Sequence, residues 1–149
     1  LIIDPDAGKE AAAAALGLTF CTAPPADLFD VVFHASGNPA GLATALALAD
    51  FEATVIEASW YGVTPVTLPL GEGFHAKRLT LRSSQVGAVS PRQRARLSHR
   101  QRLEMALALL ADDRLDGLIT GESAFAELPQ VMARLADGSL PALCHRIRY

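Results

Sequence analysis

At 149 residues, half of them apolar and 19% charged, the chain has the length of one domain and enough apolar content to build a core, which excludes a disordered tail. The net charge of -3 argues against a nucleic-acid partner, and no apolar run approaches the roughly 20 residues that a bilayer span needs. The charge is uneven: nine acids and one base, Lys9, precede Lys77, and five of the thirteen basic residues crowd into Arg92, Arg94, Arg96, Arg100 and Arg102. Cys21 and Cys144 both sit in apolar, strand-like runs. That favours buried free thiols over a disulfide, as in a reducing compartment. With no signal-peptide pattern, a cytoplasmic location is expected and no membrane contact.

In chain order, Leu1-Ile2-Ile3-Asp4 reads as a short apolar strand ending in an acid. Asp6 to Leu16 is an Ala-rich helix stopped by Gly17. Leu18 to Cys21 is a short strand, followed by a loop at Pro24-Pro25. Asp30 to Ala35 is the clearest buried strand and ends at Ser36-Gly37-Asn38-Pro39. A helix from about Ala40 to Asp50 places Leu42, Leu46 and Ala49 on one face, and Thr54 to Ser59 is the next strand. Trp60 to Gly73 is a loop punctuated by Gly and Pro. Leu79 to Ser83 is a strand candidate. A long helix is expected from about Pro91 to Ala111 with Leu103, Leu107 and Leu110 as its apolar stripe. Gly117 to Thr120 is a strand, Phe125 to Ala136 a helix ended by Asp137-Gly138, and Leu143 to Tyr149 a terminal strand. Alternation of this kind predicts an α/β fold with a parallel sheet flanked by helices.

Three constellations could carry chemistry. Asp4, at the carboxyl end of a strand, can accept hydrogen bonds from both hydroxyls of an adenosine ribose and would repel a 2′-phosphate, favouring NAD over NADP. It can equally cap the helix that follows. Lys9, about one turn inside that helix, can reach the same ribose or remain a solvated lysine. Ser36-Gly37 ends the most apolar strand, where ligands of open parallel sheets lie and where a Gly admits a cofactor close to the backbone; an ordinary strand-to-helix turn has the same composition. The Arg92 to Arg102 cluster reads as a polar helix face, as an anionic-substrate cleft or, least of all, as a nucleic-acid contact. His34, His75, His99 and His145 show no metal-ligand spacing, and no Ser-centred nucleophile elbow is present. No catalytic residue and no metal ligand is assigned within the chain.

The order of these segments resembles the cofactor domain of the medium-chain dehydrogenases/reductases, the zinc-containing alcohol dehydrogenase-like enzymes. The resemblance rests on the strand-acid at 1–4 with Lys9, Asp30-Val31-Val32-Phe33-His34-Ala35-Ser36-Gly37, Thr54-Val55-Ile56, and the tail from Leu118-Ile119-Thr120 through Pro129 to Leu135, Gly138 and a last strand. It covers essentially the whole chain. It implies a Rossmann-type parallel sheet truncated at its N-terminus: residues 1–149 form a partial dinucleotide-binding domain from its second strand onward, with 142–149 returning toward an absent catalytic domain. The Gly-rich turn, about 20 residues upstream of the acid, would precede Leu1.

The resemblance also implies roles. Asp4 would bind the adenosine ribose assisted by Lys9, and Ser36 and Gly37 would pack beside the adenosine. Ala58, Ser59, Arg82 and Ser83 would meet the nicotinamide end, and His145 would lie near the pyrophosphate. NAD is the expected cofactor, with NADP possible, and zinc only through the absent N-terminal domain. The partners implied are a small alcohol or carbonyl substrate and a second copy, paired through the Leu79–Ser83 strand. The 149 residues alone are expected to be inactive and poorly soluble or dimeric. The alternatives are a zinc-independent quinone reductase-like NADPH oxidoreductase and a non-catalytic dimerisation or binding module. Ser59, Trp60 and Tyr61 depart from the family pattern, as does Gly121-Glu122. Trp60 could wall the substrate or nicotinamide; packing in a core or interface is the more usual fate.

Overall fold

A computed structural model describes all 149 residues. They fall into two compact units: residues 1–22 with 98–149, and residues 23–97. Every strand pairing is parallel, as the alternation predicts, but the pairings form three separate ladders.

In the first unit, β1 (Ile2–Ile3) pairs with β2 (Phe20–Cys21), Ile2 opposite Phe20. A 3-10 turn over Ala7–Lys9 leads into α1 (Glu10–Ala15), so the helix expected from Asp6 is α-helical only from Glu10. Asp6 accepts the Gly8 N–H at 2.9 Å and caps that turn. Gly17, at φ +73°, ends the helix in the left-handed conformation that Gly adopts without a Cβ penalty.

Later in this unit come α3 (His99–Leu109), β6 (Ile119–Ala124), α4 (Leu128–Ala136) and β7 (Cys144–Arg148), with β6 and β7 paired. The long helix expected over 91–111 is therefore only α3. Ser98 accepts the Gln101 N–H while the Gln101 side chain accepts the Ser98 N–H, a capping box that fixes the helix start at residue 99. None of its residues is buried: Leu103, Leu107 and Leu110, the expected core stripe, are exposed. The strand expected at Gly117 begins at Ile119, because Asp112 caps a 3-10 turn over Asp113–Leu118.

The second unit is a three-stranded ladder in the order β3-β4-β5, formed by Phe29–His34, Ala49–Glu57 and Thr80–Ser83. Between β3 and β4 lies α2 (Pro39–Leu48); Asn38 accepts the Ala40 N–H at 3.0 Å, and Pro39 occupies the first turn. The chain passes from α2 into β4 at Ala49, earlier than the strand start expected at Thr54. Glu52, at φ +59°, kinks the strand where its register against β3 shifts between Phe29 and Val31. Ala58 and Ser59 fall just past the strand end.

The core of this unit is Leu42, Ala45 and Leu46 from α2, Ala49, Ala53 and Val55 from β4, and Leu79. Each buried Leu contributes about 1.5–3 kcal/mol. The Asp30 strand is less buried than its composition implies: Val31 is half exposed and Phe33 is 71% exposed. Both outer edges of the ladder, on β3 and β5, are unpaired. No helix of the chain is long and apolar enough to cross a membrane.

Candidate functional site

In the first unit, Asp4 stands at the carboxyl end of β1. Its Oδ1 accepts the Asp6 N–H at 2.9 Å, and its Oδ2 pairs with Lys9 Nζ at 2.7 Å. Since Asp6 performs the capping, Asp4 is left as a part-exposed carboxylate aligned by Lys9. The Lys9 hydrogen bond, helped by the Asp6 amide, holds the Asp4 carboxyl below its usual range. A carboxylate has about four lone-pair sites, so with two engaged it retains acceptor capacity for ribose hydroxyls.

The densest polar arrangement lies in the second unit, at the carboxyl ends of β3 and β4. His34 and Glu57 are register partners in the parallel ladder. His34, only 5% exposed, places Nδ1 2.8 Å from Glu57 Oε2 and Nε2 2.7 Å from the Ser36 hydroxyl. Glu57 also accepts the Tyr61 hydroxyl at 3.0 Å and the Ser59 N–H at 2.6 Å. Partial burial raises the Glu57 pKa, but the hydrogen bonds from Ser59, His34 and Tyr61 outweigh it and hold the carboxyl below its usual range. Burial, followed by the bond to Glu57, pushes the Tyr61 phenol up, so it stays a donor. The Tyr61 ring stacks on the His34 imidazole with centroids 6.4 Å apart.

Gly41, in the first turn of α2, is what lets the helix approach this group. A Cβ there would lie 2.7 Å from Ser36 Oγ and 2.8 Å from His34 Nε2. Gly37, at φ +67°, turns the chain out of the strand, and its N–H donates to Ser59 Oγ at 3.0 Å.

Of the residues singled out in the sequence, the second unit gathers Ser36, Gly37, Ala58 and Ser59 around His34. The Ala58 N–H donates to the His34 carbonyl at 2.8 Å. Arg82 and Ser83 end β5, with Ser83 opposite Glu57. In the first unit His145 lies within the β6–β7 ladder, its Nε2 2.9 Å from Ser123 Oγ and its buried Nδ1 without a hydrogen-bond partner. Gly121 faces that ring so closely that a side chain there would collide with Nδ1.

The basic cluster is divided between structures. Arg92, Arg94 and Arg96 lie in turns outside the helix, while Arg100 and Arg102 belong to α3, where Arg100 pairs with Glu104 at 2.9 Å. Trp60, for which core packing is the commoner fate, is 88% exposed. Neither cysteine is the buried thiol expected: Cys21 is half-buried and Cys144, at the start of β7, is exposed. No three His, Cys, Asp or Glu side chains converge as metal ligands, so these residues do not fit a zinc ion. The sequence reading missed the linkage of His34, Glu57 and Tyr61. Its one available signal was a polar residue at the carboxyl end of each of two neighbouring apolar strands.

No protein-family model and no curated protein matches the sequence. Solved structures do match by fold. L-idonate 5-dehydrogenase from Escherichia coli superposes with a TM-score of 0.74 at 18% identity, covering 99% of this chain and 42% of its own. A short chain alcohol dehydrogenase from E. coli, complexed with NADH, gives 0.65 at 16%, covering 90% and 40%. An oxidoreductase from Salmonella enterica in complex with NADP gives 0.66 at 13%, covering 94% and 44%. Zinc-binding dehydrogenases recur among the matches. The fold is therefore the one shared by zinc-type, alcohol dehydrogenase-like enzymes, the class that the order of segments in the sequence resembles. The chain spans about two fifths of the length of these structures.

Proposed function

We propose that these residues form the cofactor-binding part of a zinc-type, NAD(P)-dependent alcohol dehydrogenase-like oxidoreductase, which interconverts an alcohol and a carbonyl compound by hydride transfer. The observation that supports this reading is the Asp4 carboxylate, aligned by Lys9 at the end of β1, in a chain whose whole length follows a dehydrogenase fold. Asp4 and Lys9 take the adenosine ribose, and Ser36 and Gly37 take the adenosine. Ala58, Ser59, Arg82 and Ser83 take the nicotinamide end. His145 joins the pyrophosphate only if its ring turns away from Ser123. The nicotinamide carries the hydride, and the chain's part is to bind and orient it. No zinc step is assigned to these residues. The catalytic ligands, the alcohol or carbonyl site, and the Gly-rich turn belong to further residues of a longer enzyme.

A second copy pairs along the free edge of β5, the Leu79–Ser83 segment, because an open strand edge needs such cover. Sedimentation should give a dimer; a monomer at all concentrations would remove this part of the proposal. The NADP-bound match favours a second reading, a quinone reductase-like NADPH enzyme, against which Asp4 counts.

Fluorescence titration of the full-length parent enzyme with NADH and NADPH tests the main reading. Saturable binding with NADH preferred supports it, and no saturation with either defeats it. Asp4→Ser should shift the preference toward NADPH. An unchanged ratio would reduce Asp4 to a local hydrogen-bond acceptor.

A further inference from the structure

We propose that Ser36 is a nucleophile, activated by His34 and oriented through Glu57, that accepts an acyl group from small activated esters. Such sites are recognised by geometry rather than by chain order: a hydroxyl within hydrogen-bond reach of a base that a third group orients. Here the two distances are 2.7 Å from Ser36 Oγ to His34 Nε2 and 2.8 Å from His34 Nδ1 to Glu57 Oε2.

The proton positions follow from acceptor chemistry. An ionised carboxylate only accepts, so the Glu57 contact places the imidazole proton on Nδ1. That leaves Nε2 as a lone pair facing Ser36, whose hydroxyl then donates to it. Tyr61 and the Ser59 amide fix the carboxylate from two further directions. The His34 ring is largely buried while Ser36 beside its Nε2 is exposed, so substrate and water reach the pair from the Ser36 side. The Asn38 N–H donates to Ser36 Oγ at 3.2 Å and favours negative charge developing there. Ser36 also occupies a strand–turn–helix junction between β3 and α2, a geometry that presents a serine outward, here with Gly37 directly after it and with His34 and Asn38 in place of the elbow glycines two residues to either side.

In the step proposed, a bond forms between Ser36 Oγ and the ester carbonyl carbon as the hydroxyl proton passes to His34 Nε2. The Gly37 N–H, now held by Ser59 Oγ, exchanges that neutral acceptor for the better, charged oxyanion. The ester C–O bond breaks and the alcohol leaves with the proton from Nε2. Water then gives a proton to His34 Nε2 and attacks the acyl carbon, the acyl–Oγ bond breaks, the carboxylic acid leaves, and the Nε2 proton returns to Ser36 Oγ. No oxidant or metal is required, and the step belongs to the nicotinamide-free protein, because the cofactor reading gives the adenosine the same Ser36 and Gly37.

A fluorophosphonate probe tests it, since Ser36 Oγ would displace fluoride from phosphorus with the same proton transfer. The protein is incubated with the probe without nicotinamide, and the adduct is located by peptide mass mapping. The expected result is one adduct, on Ser36, absent from Ser36→Ala and from protein unfolded in urea. The rate should fall at least tenfold in Glu57→Gln, while Ser139→Ala labels normally. Ser36 is exposed, so Ser36→Ala should fold, and far-UV circular dichroism verifies each variant. No adduct on the folded protein, equal labelling of Ser36→Ala, or an undiminished rate in Glu57→Gln would overturn the proposal. Saturable NADH binding by protein that fails to label would leave the cofactor reading standing alone.

Discussion

Replacing Gly41 with Ala sets two effects of opposite sign against each other, and the packing around His34 decides between them. In a helix, Ala is preferred to Gly by about 0.5–1 kcal/mol, so on propensity alone the variant would be more stable. The new Cβ, however, would lie 2.7 Å from Ser36 Oγ, 2.8 Å from His34 Nε2 and 3.4 Å from His34 Cδ2. Ser36 can rotate its hydroxyl aside, but the His34 ring is buried and pinned by Glu57, so it has no such freedom. Moving the serine alone leaves a buried ring nitrogen without its partner, which costs about 1–3 kcal/mol, and the remaining overlap adds about 1 kcal/mol or more.

The balance is a net loss of about 1–3 kcal/mol, so Gly41→Ala should lower the urea midpoint with an unchanged slope and lower Tm by several degrees. The double variant Gly41→Ala with Ser36→Gly should recover little of that loss, because His34 Nε2 still lacks its partner and the overlap with the ring remains. A single variant as stable as the parent, or more so, would refute the argument, because the helix would then have room that the structure denies it.

Acid should act on the same cluster. Glu57 has its carboxyl held below the usual value near 4.5, so its contribution to stability is complete above that pH and is lost as the pH falls below it toward the folded-state value. Glu57→Gln should flatten that part of the stability–pH curve, and an unaltered curve would show that the carboxylate is not linked to folding. On α3, Leu107→Lys should change stability by less than about 0.5 kcal/mol, because the side chain is exposed; a loss above about 1 kcal/mol by denaturant titration would mean that something covers this face in solution. Gly121→Ala should destabilise the β6–β7 ladder, since the His145 ring must move, and the His145 ring resonances would shift; unshifted resonances would contradict the packing.

The parallel α/β architecture was legible because its local signals agree. Gly17 stops an alanine run, Asn38-Pro39 starts α2, and Val32 and Val55 lie in apolar runs bounded by turn residues. Element edges were less legible, and the causes are specific. Apolar spacing in Leu103, Leu107 and Leu110 implied a helix reaching back to Pro91, yet a helix begins where its first amides find acceptors, and here Ser98 with Gln101 supplies them. The same spacing implied burial. Periodicity records which face could be covered, and no element of the first unit covers this one. Phe33 is the corresponding case on a strand: β3 carries the composition of a central strand, but the face it shares with Val31 is left uncovered.

The His34 cluster was illegible for a different reason. Histidine and glutamate 23 positions apart carry no mutual signal in the sequence until β3 and β4 are placed side by side in register. Once they are, neither side chain is free to be elsewhere. A buried imidazole needs a partner for each nitrogen, and the ladder offers Glu57 to Nδ1 while the turn that follows offers Ser36 to Nε2. Two other features then follow from that one pairing: position 41 must be Gly for α2 to close over the ring, and Tyr61 is drawn back onto Glu57 and stacks on His34. With Tyr61 thus anchored, the Trp60 beside it stands exposed in the loop that leaves β4. If that chain of constraint is right, Tyr61→Phe should loosen the Trp60 loop without disturbing α2. Raised tryptophan quenching by acrylamide with unchanged helix content would register it, whereas unchanged quenching would show that the loop is held by something other than the tyrosine hydroxyl.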